Sequence, residues 1–517
     1  MKNKGAVACG HPKTAEAAAQ ILSQGGNAFD AVIAAHLAAC VAEPILSSLG
    51  GGGFLTAHTQ RGENIVYDFF AHTPKNKLPL SDIDLYPITA DFGETTQEFH
   101  IGMGSIAVPG SVRGLFNIHR DLGKLPLSVI AEPAIALAKG GVEVNSFQAY
   151  VFDIIKPIYQ HDETCFELFK SRIPDSDGKL LQAGETLSCP DLADTIEALV
   201  LEGERLFYEG EIANSIINAC SNNGGLLIHS DFHNYQVIKR KPLSLTYRDY
   251  HIFTNPPPSS GGILITFALM LLNSVKVNQI TNLSSEYLEL LTLVMKLTNK
   301  ARLETESFNA LSIGQHILNH EFLERYKNEI GNNYSFSRGT TQISVIDKFD
   351  NVASLTTSNG EGSGFIAPGT GIILNNMLGE EDLNPGGFNR WQEDQRISSM
   401  MAPTILFDRD ANPYAIGSGG SNRIRSAILQ VLVQLIDYGQ NLDDAIESPR
   451  IHYENDLLSV EYGAVNKDQP DDFCKGEKIK LWNAKNLFFG GVHAVHASKK
   501  GLQGKGDPRR GGIAIIV

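Results

Sequence analysis

A change of texture at residue 340 constrains this chain more than any other feature. The stretch before it, "KNEIGNNYSFSRG", is rich in Asn, Ser and Gly with no period of 2 or 3.6, which is loop composition. Directly after it, "TTQISVID" sets Ile343, Val345 and Ile346 among polar residues, the pattern of a strand that opens at Thr340. Between about 110 and 330 the chain is mainly helical, as in "PLSVIAEPAIALAKGG" and "SSEYLELLTLVMKLTNKARLE", whose apolar residues recur near 3.6. After 340 come short strand patterns, "ISVID", "VASLTT", "GIILNN", "PTILF" and "YAIGSG", separated by the turns "KFDN" and "DRDANP". A last helix follows in "SNRIRSAILQVLVQLIDYG", with Ile424, Ile428, Val431, Leu432 and Leu435 on one face and Gly439 ending it. Helices first and paired strands later predict layered α and β packing. On local pattern alone, Thr340 and Thr341 read as ordinary β-branched strand openers.

The 517 residues could fill about three domains, but no compositional boundary divides them. A net charge of -15 repels a phosphate backbone, and the short basic run "IKRKP" at 238–242 reads as a solvated turn, so no nucleic-acid partner is expected. The six cysteines are scattered with no CxxC pair and no zinc-ligand spacing, which predicts reduced structural thiols and no metal. The N-terminus "MKNKGAVACGHP" has no apolar h-region, so a cytoplasmic setting is expected. The richest apolar run, Ala28 to Val41, is broken by Asp30 and His36 and is too short to span a bilayer, so no membrane partner is expected either.

Thr14 to Gln24 reads as an alanine-rich helix closed by Gly25-Gly26, and Asn27 can cap a second helix running to about Val41. Their small residues allow close approach to a sheet or to each other, and His36 reads as a hydrogen-bonded core histidine. In "SSLGGGGFLTAH" the four glycines either wrap a ligand with backbone N–H groups or form a turn needing positive φ; the Lys-Ser/Thr of a P-loop is missing. "NPPPSSGGI" at 255–263 predicts a rigid turn before an apolar helix.

The chemistry narrows by residue type. In "GSGGSNRIR" a glycine turn precedes a helix, so backbone N–H groups at Gly420 and Ser421 could face a developing oxyanion. No GxSxG elbow and no HExxH occurs in the chain. The remaining candidate nucleophiles are the two threonines after Gly339. A threonine hydroxyl needs an adjacent base, and a free α-amino group, which ordinarily titrates at about pH 8, can supply it. Thr340 would then have to become a chain terminus by a cut after Gly339.

At this point the sequence resembles the gamma-glutamyltranspeptidase (glutathione hydrolase) family of N-terminal nucleophile hydrolases. The blocks "GHPKTAEAAAQILSQGGNAFDAVIAAHLA", "LGGGGF", "VPGSVRGL", "LFYEGEIA", "NPPPSSGGI", "TTQISVID", "TGIILNN", "SSMMAPTI", "GSGGSNRI" and "DPRRGG" carry it in order along nearly the whole chain. The resemblance implies an α+β fold, an αββα four-layer sandwich. It also implies a precursor that cuts itself into a large chain, 1–339, and a small chain, 340–517, together forming one unit. It casts Thr340 as nucleophile, Thr357 as the threonine that hydrogen-bonds it, and Gly419, Gly420 and Ser421 as the oxyanion turn, whose register "SGGSN" leaves open by one residue. Asn359 would contact the donor's amino group, and Ser398 and Ser399 its carboxylate. No metal or organic cofactor is implied. The partners implied are an acyl donor, water or an amino acceptor, and the two halves of the precursor, with homo-oligomerisation left open.

Two departures bear on substrate. The family's carboxylate-gripping arginine and the following glutamate fall on Phe70 and Ala71 of "YDFFAHTP". Met377 of "NNMLGEEDLNP" stands at the family's glutamine, leaving Glu380 or Glu381 to meet the donor's ammonium. Gamma-glutamyl amides are therefore one expected substrate class, and glutaryl- or peptide-type acyl amides the alternative. A non-catalytic amino-acid-binding scaffold is a third reading. Asp30, Asp382 and "DPRR" at 507–510 are expected to be structural.

Overall fold

The computed structural model describes residues 3–91, 96–305, 313–327, 340–384, 386–465 and 473–517. A seven-stranded antiparallel sheet runs in the order Ile513–Ile516, Gly5–Cys9, Thr341–Asp347, Val352–Ser358, Gly52–His58, Asn64–Phe69, Ile238–Arg240. A second, six-stranded sheet runs Gly501–Lys505, Gly491–Ser498, Pro413–Gly419, Thr404–Phe407, Tyr250–Thr254, Leu243–Tyr247. The sheets lie face to face. Helices including Pro12–Ser23 and Ala28–Ala42 cover the first sheet, with Leu127–Gly140 packed outside them, and Ser260–Leu272 and Arg423–Ile436 cover the second, with Ser285–Thr305 packed on Ser260–Leu272. This is the αββα sandwich. Residues 1–339 and 340–517 share both sheets: Thr341–Asp347 pairs with Gly5–Cys9 on one side and Val352–Ser358 on the other.

The layers follow from residue size and polarity. All fifteen residues of Ala28–Ala42 are buried, so this helix, alanine-rich all round, sits inside the outer layer rather than on its surface. Asn27 caps it with Asp30 in a reciprocal box, which gives Asp30 the structural role expected of it. Between the sheets the contacts are short and partly polar: Ser344 Oγ donates to the His493 carbonyl at 2.9 Å and Ser354 Oγ to the Ile416 carbonyl at 2.9 Å. A cluster of Ala6, Ala8, Ile346, Val352, Ile405, Ala415 and Val495 fills the rest of that gap.

Three local expectations are corrected. "GIILNN" makes only isolated bridges, Gly50 with Leu374 and Ile366 with Ile373, because the neighbouring sheet positions are already paired. "IKRKP" contains the edge strand Ile238–Arg240, drawn onto the sheet where Arg240 pairs at 2.8 Å with the buried carboxylate of Asp68. The glycines at 50–53 take no positive φ; they let backbones touch. A Cβ would lie 2.3 Å from the Ile373 carbonyl oxygen at Gly50, 2.3 Å from that of Ser358 at Gly51, and 2.5 Å from that of Thr356 at Gly53. All six cysteines are free and buried. No helix among the described residues is long and apolar enough to cross a membrane.

Part of "DPRR" does lock the fold. Buried Asp507 accepts from Arg450 Nη2 at 2.6 Å, Arg509 Nη1 at 3.2 Å and the Val492 N–H at 2.8 Å, and Arg509 also pairs with Glu461. The two guanidiniums hold the Asp507 carboxyl well below the usual carboxylate range, against its burial. Asp507→Asn leaves two buried cations short of an anion and is expected to cost about 3–5 kcal/mol, read as a lowered denaturant midpoint. A midpoint within error of the parent's would show that the cluster does not hold the fold.

Candidate active site

Alternation along Thr341–Asp347 sends Thr341, Ile343 and Val345 toward the helices and Gln342, Ser344 and Ile346 toward the second sheet. Thr340, one residue earlier, continues on the second-sheet side. It is buried, and its carbonyl accepts from Arg510 Nη1 at 3.1 Å. A Cβ on Gly419 would lie 2.1 Å from that same oxygen, so the strand Pro413–Gly419 runs backbone to backbone against the head of the Thr340 strand. Gly339 lies outside the described residues.

A cleft of about 360 Å³, open to solvent, lies at Thr340. Its polar wall is Thr340, Ser358, Gly360, Ser399 and Ser421; its apolar wall is Phe70, Met377, Leu383, Met400, Met401 and Ile424. Two acids, Glu380 and Asp382, complete it, and among the described residues no arginine lines it. Phe70 is fixed by stacking on Phe54, ring centroids 5.4 Å apart. Arg396 donates to the Phe70 carbonyl but is held behind it, 3.2 Å from Asp68.

The turn after Gly419 is built for close approach. Gly420 has φ +124° and Ser421 φ +49°, and a Cβ on Gly420 would meet Gly490 Cα at 2.9 Å. Among the described residues the N–H groups of Gly420 and Ser421 have no backbone acceptor, as an oxyanion site requires. The Ser421 hydroxyl donates to Asp382, and Asn422 Nδ2 reaches Asp382 at 3.1 Å and Glu454 at 3.0 Å. Burial, then the neighbouring Glu454, pushes the Asp382 carboxyl up to about 7, while Arg302, Ser421 and Arg423 pull it down. Burial, then Glu361 and Asp382, raises Glu380 as well.

The expected site residues are only partly brought together. Thr340, Glu380, Ser399 and Ser421 line the cleft, and Gly419 and Gly420 back it. Thr357 does not: its hydroxyl points to the helix face, 3.2 Å from Ser47 Oγ. The residue of that strand end that lines the cleft with Thr340 is Ser358. Asn359 is fully buried outside the cleft lining, its side-chain amide without a hydrogen-bond partner among the described residues. Ser398 is turned away and donates to the Pro258 carbonyl at 2.8 Å. Glu381 is exposed, and the second acid of the cleft is Asp382, expected to be structural. Arg510, set aside likewise, touches Thr340 itself. One signal could have found Ser358: Thr341 pairs with Thr357 and Ile346 with Val352, so counting outward from the "KFDN" turn places Ser358 opposite Thr340.

Comparison with known proteins agrees with this fold. The family model for gamma-glutamyltranspeptidase matches residues 14–517. The glutathione hydrolase proenzyme of Bacillus subtilis (strain 168) is 30% identical over 499 residues, covering 90% of this chain and 83% of that protein. An acylase ACY 1 proenzyme of Pseudomonas sp. (strain V22) is 29% identical, covering 92% and 87%. Among solved structures, cephalosporin acylase from Bacillus halodurans shares the fold with a TM-score of 0.85 at 24% identity, covering 99% of this chain and 96% of that one. The Helicobacter pylori gamma-glutamyltranspeptidase matches at a TM-score of 0.55 and 25% identity over 63% of this chain and 91% of that one. With the strand Thr341–Asp347 inside an αββα sandwich and its family blocks in order, the chain belongs to the gamma-glutamyltranspeptidase family of N-terminal nucleophile hydrolases and transferases.

Proposed function

We propose that this protein cuts itself between Gly339 and Thr340 and then hydrolyses or transfers acyl amides whose acyl group carries an amino group but no carboxylate beside it. The observation that carries this reading is the cleft at Thr340, which offers two acids and an apolar wall headed by Phe70 but no arginine. In the self-cut, Thr340 Oγ attacks the Gly339 carbonyl carbon and the amide nitrogen leaves as the Thr340 amine. Water then cleaves the ester to a Gly339 carboxylate and a free hydroxyl. In turnover the α-amine takes the Oγ proton as Oγ adds to the donor's carbonyl, and gives it to the departing amine. Water or an amino acceptor then releases the acyl group from Thr340. The N–H groups of Gly420 and Ser421 hold the oxyanion in each addition, and Ser358 orients the nucleophile.

The donor preference follows from charge. A γ-glutamyl group brings an ammonium and a carboxylate, a glutaryl group only the carboxylate, and a 4-aminobutanoyl group only the ammonium. Above a pH of about 7, where Asp382 is an anion, a carboxylate entering this cleft meets that charge with no lining cation to offset it, whereas an ammonium meets its counter-ion. The expected order of kcat/KM for the three anilides is 4-aminobutanoyl, γ-glutamyl, glutaryl, each step about tenfold or more, as for a contact of about 1.4 kcal/mol. The acylase names among the relatives are compatible with a donor other than glutathione. A γ-glutamyl preference over both others would refute the donor assignment. A wild-type chain that stays uncut and labels nowhere at Thr340 would instead favour a binding scaffold.

The pH dependence is a separate check. With its carboxyl raised to about 7, Asp382 is neutral below that pH and an anion above it. KM for the 4-aminobutanoyl anilide should therefore fall as pH rises through about 7, while KM for an uncharged pentanoyl anilide stays level. Asp382→Asn should flatten the first profile; a profile that persists in the variant assigns the titration to another group.

A further inference from the structure

On the opposite face of the nucleophile strand lies a buried carboxyl group that takes no part in the chemistry just proposed. The helix Ala28–Ala42 ends in a tight turn in which the N–H groups of Leu46 and Ser47 donate to the Glu43 carbonyl at 2.9 and 3.0 Å. That single turn presents two side chains to the first sheet. Glu43 Oε2 accepts from Thr341 Oγ1 at 2.9 Å, and Ser47 Oγ lies 3.2 Å from Thr357 Oγ1. Thr341 and Thr357 are direct cross-strand partners, so the turn grips the pair at the end of the ladder where Thr340 emerges.

Glu43 is fully committed to this contact. Its other oxygen accepts from Thr14 Oγ1 at 2.8 Å, which ties the clamp to the first helix. The chain makes room for it at Gly10, where a Cβ would lie 2.6 Å from Oε2. Arg510, which holds the Thr340 carbonyl from the other face, is the cation whose charge acts on Glu43.

We propose that Glu43 is a positioning residue: acting through the Thr341 hydroxyl, it fixes the rotation of the strand head and so the aim of Thr340, both in the self-cut and in acyl transfer. The physical need is plain. Thr340 precedes the first paired residue of its strand, and after cleavage no covalent bond restrains its amino side. The bonds to the residue behind it then set the angle of attack, and a displacement of about 1 Å at a reacting atom can cost on the order of 10²-fold in rate. A carboxyl group can accept from both threonines at once without needing a donor of its own.

This inference rests on Thr340 being the nucleophile, and the experiment separates the two. Self-cleavage of full-length protein is followed by intact mass, and turnover by an anilide, for wild type, Thr341→Val, Thr341→Ser, Glu43→Gln and the Glu43→Gln/Thr341→Val pair. Thr341→Val keeps the shape and removes the hydroxyl. It is expected to slow cleavage and lower kcat by about 10- to 100-fold, with KM within about twofold, in a protein that stays folded with a thermal midpoint lowered only by the loss of one buried hydrogen bond. Thr341→Ser restores the hydroxyl and should recover both rates to within about threefold, a rescue that a purely structural contact would not require. Glu43→Gln leaves one acceptor oxygen for two hydroxyl donors and should fall between wild type and Thr341→Val, and the double variant should be no slower than Thr341→Val, since without that hydroxyl Glu43 has no path to Thr340. Wild-type rates in folded Thr341→Val, or losses that multiply in the double variant, would overturn the inference while leaving the function intact. If Glu43→Gln does not fold, the Val and Ser variants still decide the matter. A wild-type chain that is never cut at Gly339–Thr340 would bring down both.

Discussion

Thr340→Ala is expected to leave a single uncut chain with no measurable turnover. The alanine has no oxygen to attack the Gly339 carbonyl, so the base of the mature enzyme, the Thr340 amine, is never released, and no acyl intermediate can form. In a hydrolase whose nucleophile and base act as a unit, losing the nucleophile costs roughly 10⁶ in kcat. Thr340→Ser keeps the oxygen and is expected to cut and turn over, more slowly because a serine side chain is freer about χ1 than a β-branched one. Intact mass and an anilide assay on the same samples read both steps. A cut, active alanine variant would remove Thr340 from the mechanism.

The second large effect is expected at Gly419, which does no chemistry of its own. An added Cβ would sit 2.1 Å from the Thr340 carbonyl oxygen and 3.0 Å from Arg510 Nη1, so Gly419→Ala must push Thr340 or the strand opposite it. Neither can yield cheaply. Thr340 is held through Arg510, and Pro413–Gly419 is paired with Gly491–Ser498 from Tyr414 to Gly419. The expected result is a folded protein with kcat reduced on the order of 10²-fold, from misplacement of the reacting oxygen and of the oxyanion turn that follows. Far-UV circular dichroism and the thermal midpoint separate this from misfolding. Full activity in a folded Gly419→Ala protein would mean that the backbone contact does not set the nucleophile's position.

Several sequence expectations hold because they depend on neighbours in the chain. Asn27 caps the helix Ala28–Ala42, the apolar face of Arg423–Ile436 is buried, and Pro257-Pro258 precedes the helix Ser260–Leu272. Others fail at one residue or one face. Thr357 and Ser358 are both hydroxyl residues at the end of one strand, and adjacent residues of a strand point oppositely, so an error of one position exchanges the cleft for the helix layer. Glu380, Glu381 and Asp382 are three successive acids. The last turns of chain before Asn384 expose the middle one and direct the outer two into the cleft.

What the sequence by itself determined is therefore layered α and β packing and the change of texture at residue 340, through composition and local period, and, through the order of the motif blocks, the family and the αββα class that it implies. What only the tertiary structure decided is which side chains share the Thr340 cleft. Ser358 and Asp382 reach it from segments 18 and 42 residues away, counting from 340; Arg510 holds the Thr340 carbonyl from 170 residues away, and Glu43 grips the strand from behind across 298 residues. Long-range contacts of this kind are set by sheet register and by the gap between packed layers. Neither quantity is written in any local stretch of the chain.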